Sequence, residues 1–132
     1  MNETTLVGRE LSVSLTVADP EASAVWYQKV LGFAVRQRFE REGTLMAVSL
    51  RSGQVSILVT RDDGARGEGR AKGEGFSIQI TTDADIDAVA AHVRAHGGVL
   101  DSEPETFRWG QRAFRLRDPD GFKFTISSVR PE

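Results

Sequence analysis

The chain has 132 residues, 39% of them apolar and 27% charged, enough to close one core in a single domain without covalent staples. A net charge of −2 with no long basic run argues against nucleic acid as a partner, and the absence of cysteine excludes disulfides, thiolate nucleophiles and zinc–thiolate sites. No apolar run approaches a membrane span and the first ten residues lack a signal-peptide pattern, so the expectation is a cytoplasmic protein with no membrane partner.

Residues 1–9 read as a polar tail. Leu11–Val17 alternates strictly and predicts a strand. Leu11, Val13, Leu15 and Val17 should face helices, while Ser12, Ser14 and Thr16 form a neutral polar face. Asp19-Pro20-Glu21 has the chemistry of a helix start, with Asp19 as N-cap and Pro20 in the first helical position. The apolar stripe Ala22, Val25, Trp26, Val30, Leu31 ends at Gly32. Three strands are expected next, over Phe33–Arg41, Leu45–Arg51 and Gln54–Thr60. In the first of them, Phe33, Val35, Gln37 and Phe39 should share one face, and Ala34, Arg36, Arg38 and Glu40 the other.

Residues 61–75 (RDDGARGEGRAKGEG) place five glycines among charges of both signs. They read as a flexible linker, or as a flap over a pocket. The glycines do not stand between a strand and a helix, so this is no phosphate cradle. The pattern then restarts. Phe76–Thr81 alternates like the first strand, and a helix is expected from about Asp83 to His96, stopped by Gly97-Gly98. Val99–Glu103 predicts a short strand that Pro104 ends or marks as an edge. Arg112–Ile126 reads as a hairpin: Phe114 and Leu116, then Phe122, Phe124 and Ile126, on one face, joined by the turn Asp118-Pro119-Asp120-Gly121.

The order strand-helix-strand-strand-strand thus occurs twice, offset by about 65 residues. The expected organisation is one domain: tail 1–9, a first βαβββ module over 10–60, a linker over 61–75 and a second βαβββ module over 76–128. The class is α+β, with the two repeats forming a curved eight-stranded mixed sheet, helices outside and a concave polar interior.

Several side chains carry possible chemistry. His92 and His96 are spaced i, i+4 on the second helix, a spacing able to pair two imidazoles on a metal. That helix packs away from the cavity, so a surface role is expected. Asp118 and Asp120 fit turn geometry better than paired acid–base catalysis, and Asp62-Asp63 fits solvated charge. Trp26 and Tyr27 belong to the core. Trp109 offers a flat apolar face and one N–H donor in a loop, suited to stacking on a planar ligand or to capping the sheet edge. Arg108, Arg112, Arg115, Arg117 and Lys123 favour an anionic or electron-rich ligand if they face the cavity, and a solvated outer face otherwise.

Leu15-Thr16-Val17-Ala18-Asp19, Trp26-Tyr27, Leu31-Gly32-Phe33 and Asp118-Pro119-Asp120-Gly121, in this order, resemble the vicinal oxygen chelate superfamily. It includes glyoxalase I, extradiol dioxygenases, fosfomycin-resistance enzymes and bleomycin-resistance proteins. Trp109-Gly110-Gln111-Arg112-Ala113-Phe114 is most similar to the bleomycin-resistance branch. The resemblance covers about residues 10–128 and implies the paired βαβββ fold, usually as a homodimer with its cavity in the curved sheet. It further implies a divalent metal held by His and Glu on facing strands. The family's first His falls on Ser12, its second on Ser77 (or Gly75 with a slip of two), its Glu on Thr125, and a fourth position near Ile57. None of these is a metal-binding type.

Two functions follow. The first is a metal-free, cofactor-free, dimeric protein holding a small aromatic or amphipathic molecule, as antibiotic-sequestering relatives do. Its ligand would be lined by Ser12, Ser14, Ser77, Gln79, Trp109, Arg112 and Thr125. Bleomycin is cationic, so the basic residues argue against bleomycin itself. The second is a metal-dependent lyase or dioxygenase of the glyoxalase type, which needs ligands the chain lacks. A ligand-sensing role within a larger complex is a third possibility.

Overall fold

The computed structural model describes residues 5–65, 67 and 70–131. The linker residues 66, 68 and 69 lie outside the described residues, as do 1–4 of the tail. Strands β1 (Ser12–Val17), β2 (Ala34–Arg41), β3 (Thr44–Ser52) and β4 (Val55–Arg61) form the first module with helix α1 (Pro20–Leu31). Strands β5 (Ile78–Thr82), β6 (Leu100–Thr106), β7 (Arg112–Arg117) and β8 (Lys123–Ser128) form the second with helix α2 (Ile86–Ala95). Both repeats and the α+β class are as the sequence predicts. The hydrogen bonding divides the eight strands into two four-stranded sheets of the same order: β1-β4-β3-β2 (sheet A) and β5-β8-β7-β6 (sheet B). In each, the first strand pairs parallel with the last, so β1 and β5 are outer strands.

Each helix covers one face of its own sheet, and the buried side chains of both modules join in one core. Helix α1 starts as expected: Asp19 accepts from the backbone N–H groups of Glu21 at 3.0 Å and Ala22 at 3.2 Å. It ends at Gly32, whose φ of 73° is left-handed. Helix α2 is shorter than predicted because Asp85, not Asp83, caps it, accepting from Ala88 N–H at 3.3 Å. The two helices meet at Gly98. A Cβ there would lie 2.4 Å from Val93 Cγ1 and 2.8 Å from Val30 Cγ1. Gly98→Ala should therefore cost about 1–3 kcal/mol of stability by overpacking, read as a lower urea midpoint.

Three local expectations are corrected. Leu11 lies outside β1 and is 80% exposed, so the apolar face begins at Val13. Strand β2 does not keep one parity: a bulge between Val35 and Gln37 flips its faces. Val35 stays against the core. Gln37 and Phe39 stand opposite Ser49 and Ala47 on the other face, and Arg38 turns to α1 to form a bidentate pair with Glu21 at 2.9 Å. Strand β6 runs on to Thr106, past the expected end at Glu103; Pro104 marks an edge, the second of the two expectations, because an outer strand of sheet B can lack that N–H. Among the described residues no helix is long and apolar enough to cross a membrane.

Candidate functional site

The strand parity that buries one face leaves the other open. On sheet A, Leu15 and Val17 are buried, as are Ile57 and Val59 beside them. The open face is therefore Ser12, Ser14 and Thr16, with Ser56, Leu58 and Thr60 directly opposite on β4. On sheet B, Phe124 and Ile126 are buried. Gln79 and Thr81 of β5 then stand opposite Thr125 and Ser127 of β8 on the open face, and Gln79 Nε2 donates to Ser127 Oγ at 3.2 Å. Arg115 and Arg117 join that face because Phe114 and Leu116 take the core.

The predicted site residues thus separate. Ser12 and Ser14 share the open face of sheet A; Gln79 and Thr125 share that of sheet B; Ser77 is exposed just before β5. Arg112 has the parity of Phe114 and turns to the helix side. There Asp87 of α2 accepts from its Nε and Nη2, both at 2.8 Å, and Thr106 Oγ1 accepts from its Nη1 at 2.9 Å. That bidentate bond holds the Asp87 carboxyl below its usual range and raises Arg112. Trp109 sits in a three-residue loop closed by Phe107 N–H donating to the Gln111 carbonyl at 2.8 Å. Its ring stacks on Phe107 at 4.9 Å and 16°. Its Nε1 donates to Gln111 Oε1 at 3.0 Å, and Gln111 Nε2 donates to the Ser128 carbonyl at 3.0 Å. One ring face is thereby held in place while the side chain stays 51% exposed.

A cleft of about 610 Å³ opens beside the sheet A face. Ser14 and Thr16, the linker ion pair Lys72–Asp62 at 2.5 Å, and Phe76 and Phe122 line it. A groove of about 590 Å³ between the modules is walled by Leu31, Phe33, Val55, Ile80, Val89 and Ile126 and includes none of the predicted site residues. Asp62 and Asp63 are more ordered than solvated charge: they accept from the backbone N–H groups of Gly64 and Ala65, each at 2.9 Å.

The sequence reading missed Glu10, whose Oε1 accepts from Ser56 Oγ at 2.7 Å and Arg51 Nη1 at 3.0 Å. The Ser56 bond, then Arg51, lowers its pKa. Its even spacing from Ser12 was the available signal. His92 and His96 are exposed and stacked at 4.0 Å on α2, with His92 Nε2 against the Lys29 carbonyl and His96 Nδ1 against that of His92. Neither belongs to the open faces.

Asp118 organises the turn and is buried. Its Oδ1 accepts from Phe122 N–H at 2.8 Å and Asp120 N–H at 3.0 Å, and its Oδ2 accepts from Tyr27 Oη–H at 2.7 Å. Asp120 Oδ1 accepts from Ala18 N–H at 2.9 Å. The two carboxylates tie the second module to the first rather than serving as an acid–base pair.

The donor set on the open faces does not fit a divalent cation. Leu58 stands opposite Ser14 as Thr125 stands opposite Gln79, so the position near Ile57 that the resemblance implies corresponds to Leu58, Ile57 itself being buried. Hydroxyls, an amide and an aliphatic chain replace the imidazole and carboxylate donors such an ion needs. Among the described residues no group of three or more His, Cys, Asp or Glu is placed to hold a metal.

A family model described as the Glyoxalase/Bleomycin resistance protein/Dioxygenase superfamily matches residues 11–126. The chain belongs to this superfamily. Solved structures share the glyoxalase-type fold along nearly its whole length. TioX from Micromonospora sp. ML1 is 24% identical with a TM-score of 0.74, covering 92% of this chain and 98% of TioX. A superfamily member from Sphaerobacter thermophilus is 25% identical with a TM-score of 0.74, covering 93% and 98%. The virulence protein STM3117 of Salmonella typhimurium is 22% identical with a TM-score of 0.69, covering 95% and 99%. A search of curated proteins gives no match.

Proposed function

We propose that this glyoxalase-superfamily chain is a metal-independent binding protein for a small aromatic molecule, an antibiotic or a compound of similar chemistry. The observation that carries the reading is the open-face chemistry: Ser12, Ser14, Leu58, Gln79 and Thr125 offer hydrogen bonds and apolar contact but no strong metal donor. Such walls hold and orient a ligand without a reactive group. Trp109, stacked on Phe107 and about half exposed, supplies a stacking surface. The protein works as a homodimer on this reading, because the outer strands β1 and β5 leave backbone edges for a second copy to cover.

Tryptophan fluorescence titrated with a panel of aromatic antibiotics tests this. Saturable quenching is expected with at least one. Trp109→Ala should remove most of the quenching and weaken binding about tenfold, the scale of one lost aromatic stack; calorimetry with unchanged affinity takes Trp109 out of the site. Light scattering should give twice the chain mass.

A further inference from the structure

The open face of sheet B carries charge that the fold does not balance. The β7–β8 ladder sets Arg117 directly opposite Lys123, and Arg115 directly opposite Thr125. Like charges opposed across two strands repel. Asp101 accepts from Arg117 Nε at 2.9 Å. Among the described residues neither Arg115 nor Lys123 has a carboxylate ion-pair partner. Glu105 stands opposite Ala113 and is in no ion pair with either. Lys123 is also half-buried. Beside these cations stand the neutral Thr125, opposite Arg115, and Gln79, opposite Thr125; Glu105 shares the small hollow with Arg115 but is not bonded to it. At the other end of the same face Phe107 borders a hollow with Ala113 and Arg115, and Trp109 is stacked upon it. On sheet A, by contrast, Glu10 neutralises Arg51.

We propose that the ligand of this face is an aromatic anion: a planar ring system bearing one carboxylate. The carboxylate lies between Arg115 and Lys123, accepting charge-assisted hydrogen bonds, and the ring extends toward the Phe107–Trp109 stack. The inference rests on the ligand-binding reading above and adds the sign of the ligand's charge.

Three naphthalenes of similar shape test it by calorimetry: 2-naphthoate, neutral 2-naphthamide and 2-naphthylmethylammonium. The naphthoate should bind about tenfold or more tighter than the amide, the factor of one charge-assisted hydrogen bond, and the ammonium weakest. Added salt should weaken the naphthoate alone. The double substitution Arg115→Gln, Lys123→Gln should abolish the naphthoate's advantage over the amide. Both side chains reach solvent, an unchanged melting curve checks the fold, and Lys123→Gln alone should give a partial loss. Equal binding of the three probes, preference for the ammonium, or an advantage that survives the double substitution overturns the anion assignment and leaves the binding reading standing. Failure of all three to bind overturns both.

Discussion

Replacing Asp118 with Ala is expected to lower the unfolding free energy by about 3 kcal/mol, since it strands three buried or partly buried donors at once. Those donors are Tyr27 Oη–H and the Asp120 and Phe122 N–H groups. Tyr27→Phe removes only one of the bonds and should cost about 1–2 kcal/mol. The two changes should be less than additive in a double-mutant cycle, because they share a bond. A pH signature accompanies them. Burial holds the Asp118 carboxyl above its ordinary value of 3.8, aided by the Asp120 charge and opposed by the bonds from Tyr27 and Phe122. The folded chain therefore keeps this proton to higher pH than the unfolded chain does. Its contribution is fully present below 3.8 and is lost as pH rises through the folded value. Urea unfolding should accordingly show the parent gaining stability relative to Asp118→Asn as pH falls toward 4, a limit set by the ordinary value of 3.8. A flat or opposite difference contradicts the burial argument. Burial likewise raises the Tyr27 phenol above its ordinary 10.0, with the Asp118 charge next in effect, so stability should fall as pH climbs past the value at which unfolded tyrosine ionises. The exposed pairs Glu21–Arg38 and Asp87–Arg112 act in the other direction. Their carboxyls sit below the ordinary range, chiefly through the guanidinium bonds, and that contribution fades as pH falls through the lowered values.

Phe124→Ala should cost about 3–5 kcal/mol, while Thr125→Val, one residue along, should change stability by less than about 0.5 kcal/mol. Phe124 is 1% exposed, stands opposite Leu116 and Ile78, and meets the Tyr27 ring edge-on at 5.9 Å. It joins the modules through the same tyrosine that binds Asp118. Thr125 points the other way, beside Gln79. Equal costs at the two positions would mean that β8 does not have one packed face and one open face.

The modules were legible because each is written in local signals. Alternating strands, the Asp19 cap with Pro20 behind it and the Asp118–Gly121 turn all act within a few residues. The same parity that identified Phe114 and Leu116 as core also assigns Arg115 and Arg117 to the open face and Arg112 to the helix side; it needed only the register against Thr125. The face of Arg38 was not legible, because a one-residue bulge leaves no composition signal yet inverts the side chains from Gln37 to Phe39, where a second shift turns the strand back. Nor was the division into two sheets, which depends on contacts between residues far apart in the chain. The position expected near Ile57 narrows to Leu58 only once the strand register is known, because the repeat offset is 65 at β1 and β5 but 67 at β4 and β8, from Ser14 to Gln79 and from Leu58 to Thr125.

On the proposed binding reading, function lies on the two polar faces that the core leaves uncovered. A cation held there would need donors that Ser12, Leu58, Gln79 and Thr125 do not supply. Metal content of the purified protein, read together with its melting temperature before and after adding zinc, nickel, manganese or iron(II), tests this most directly. Far less than one ion per chain and an unmoved melting temperature, with an aromatic ligand still binding after chelation, are expected. One ion per chain, or a rise of several degrees with any of these cations, would contradict a metal-independent site.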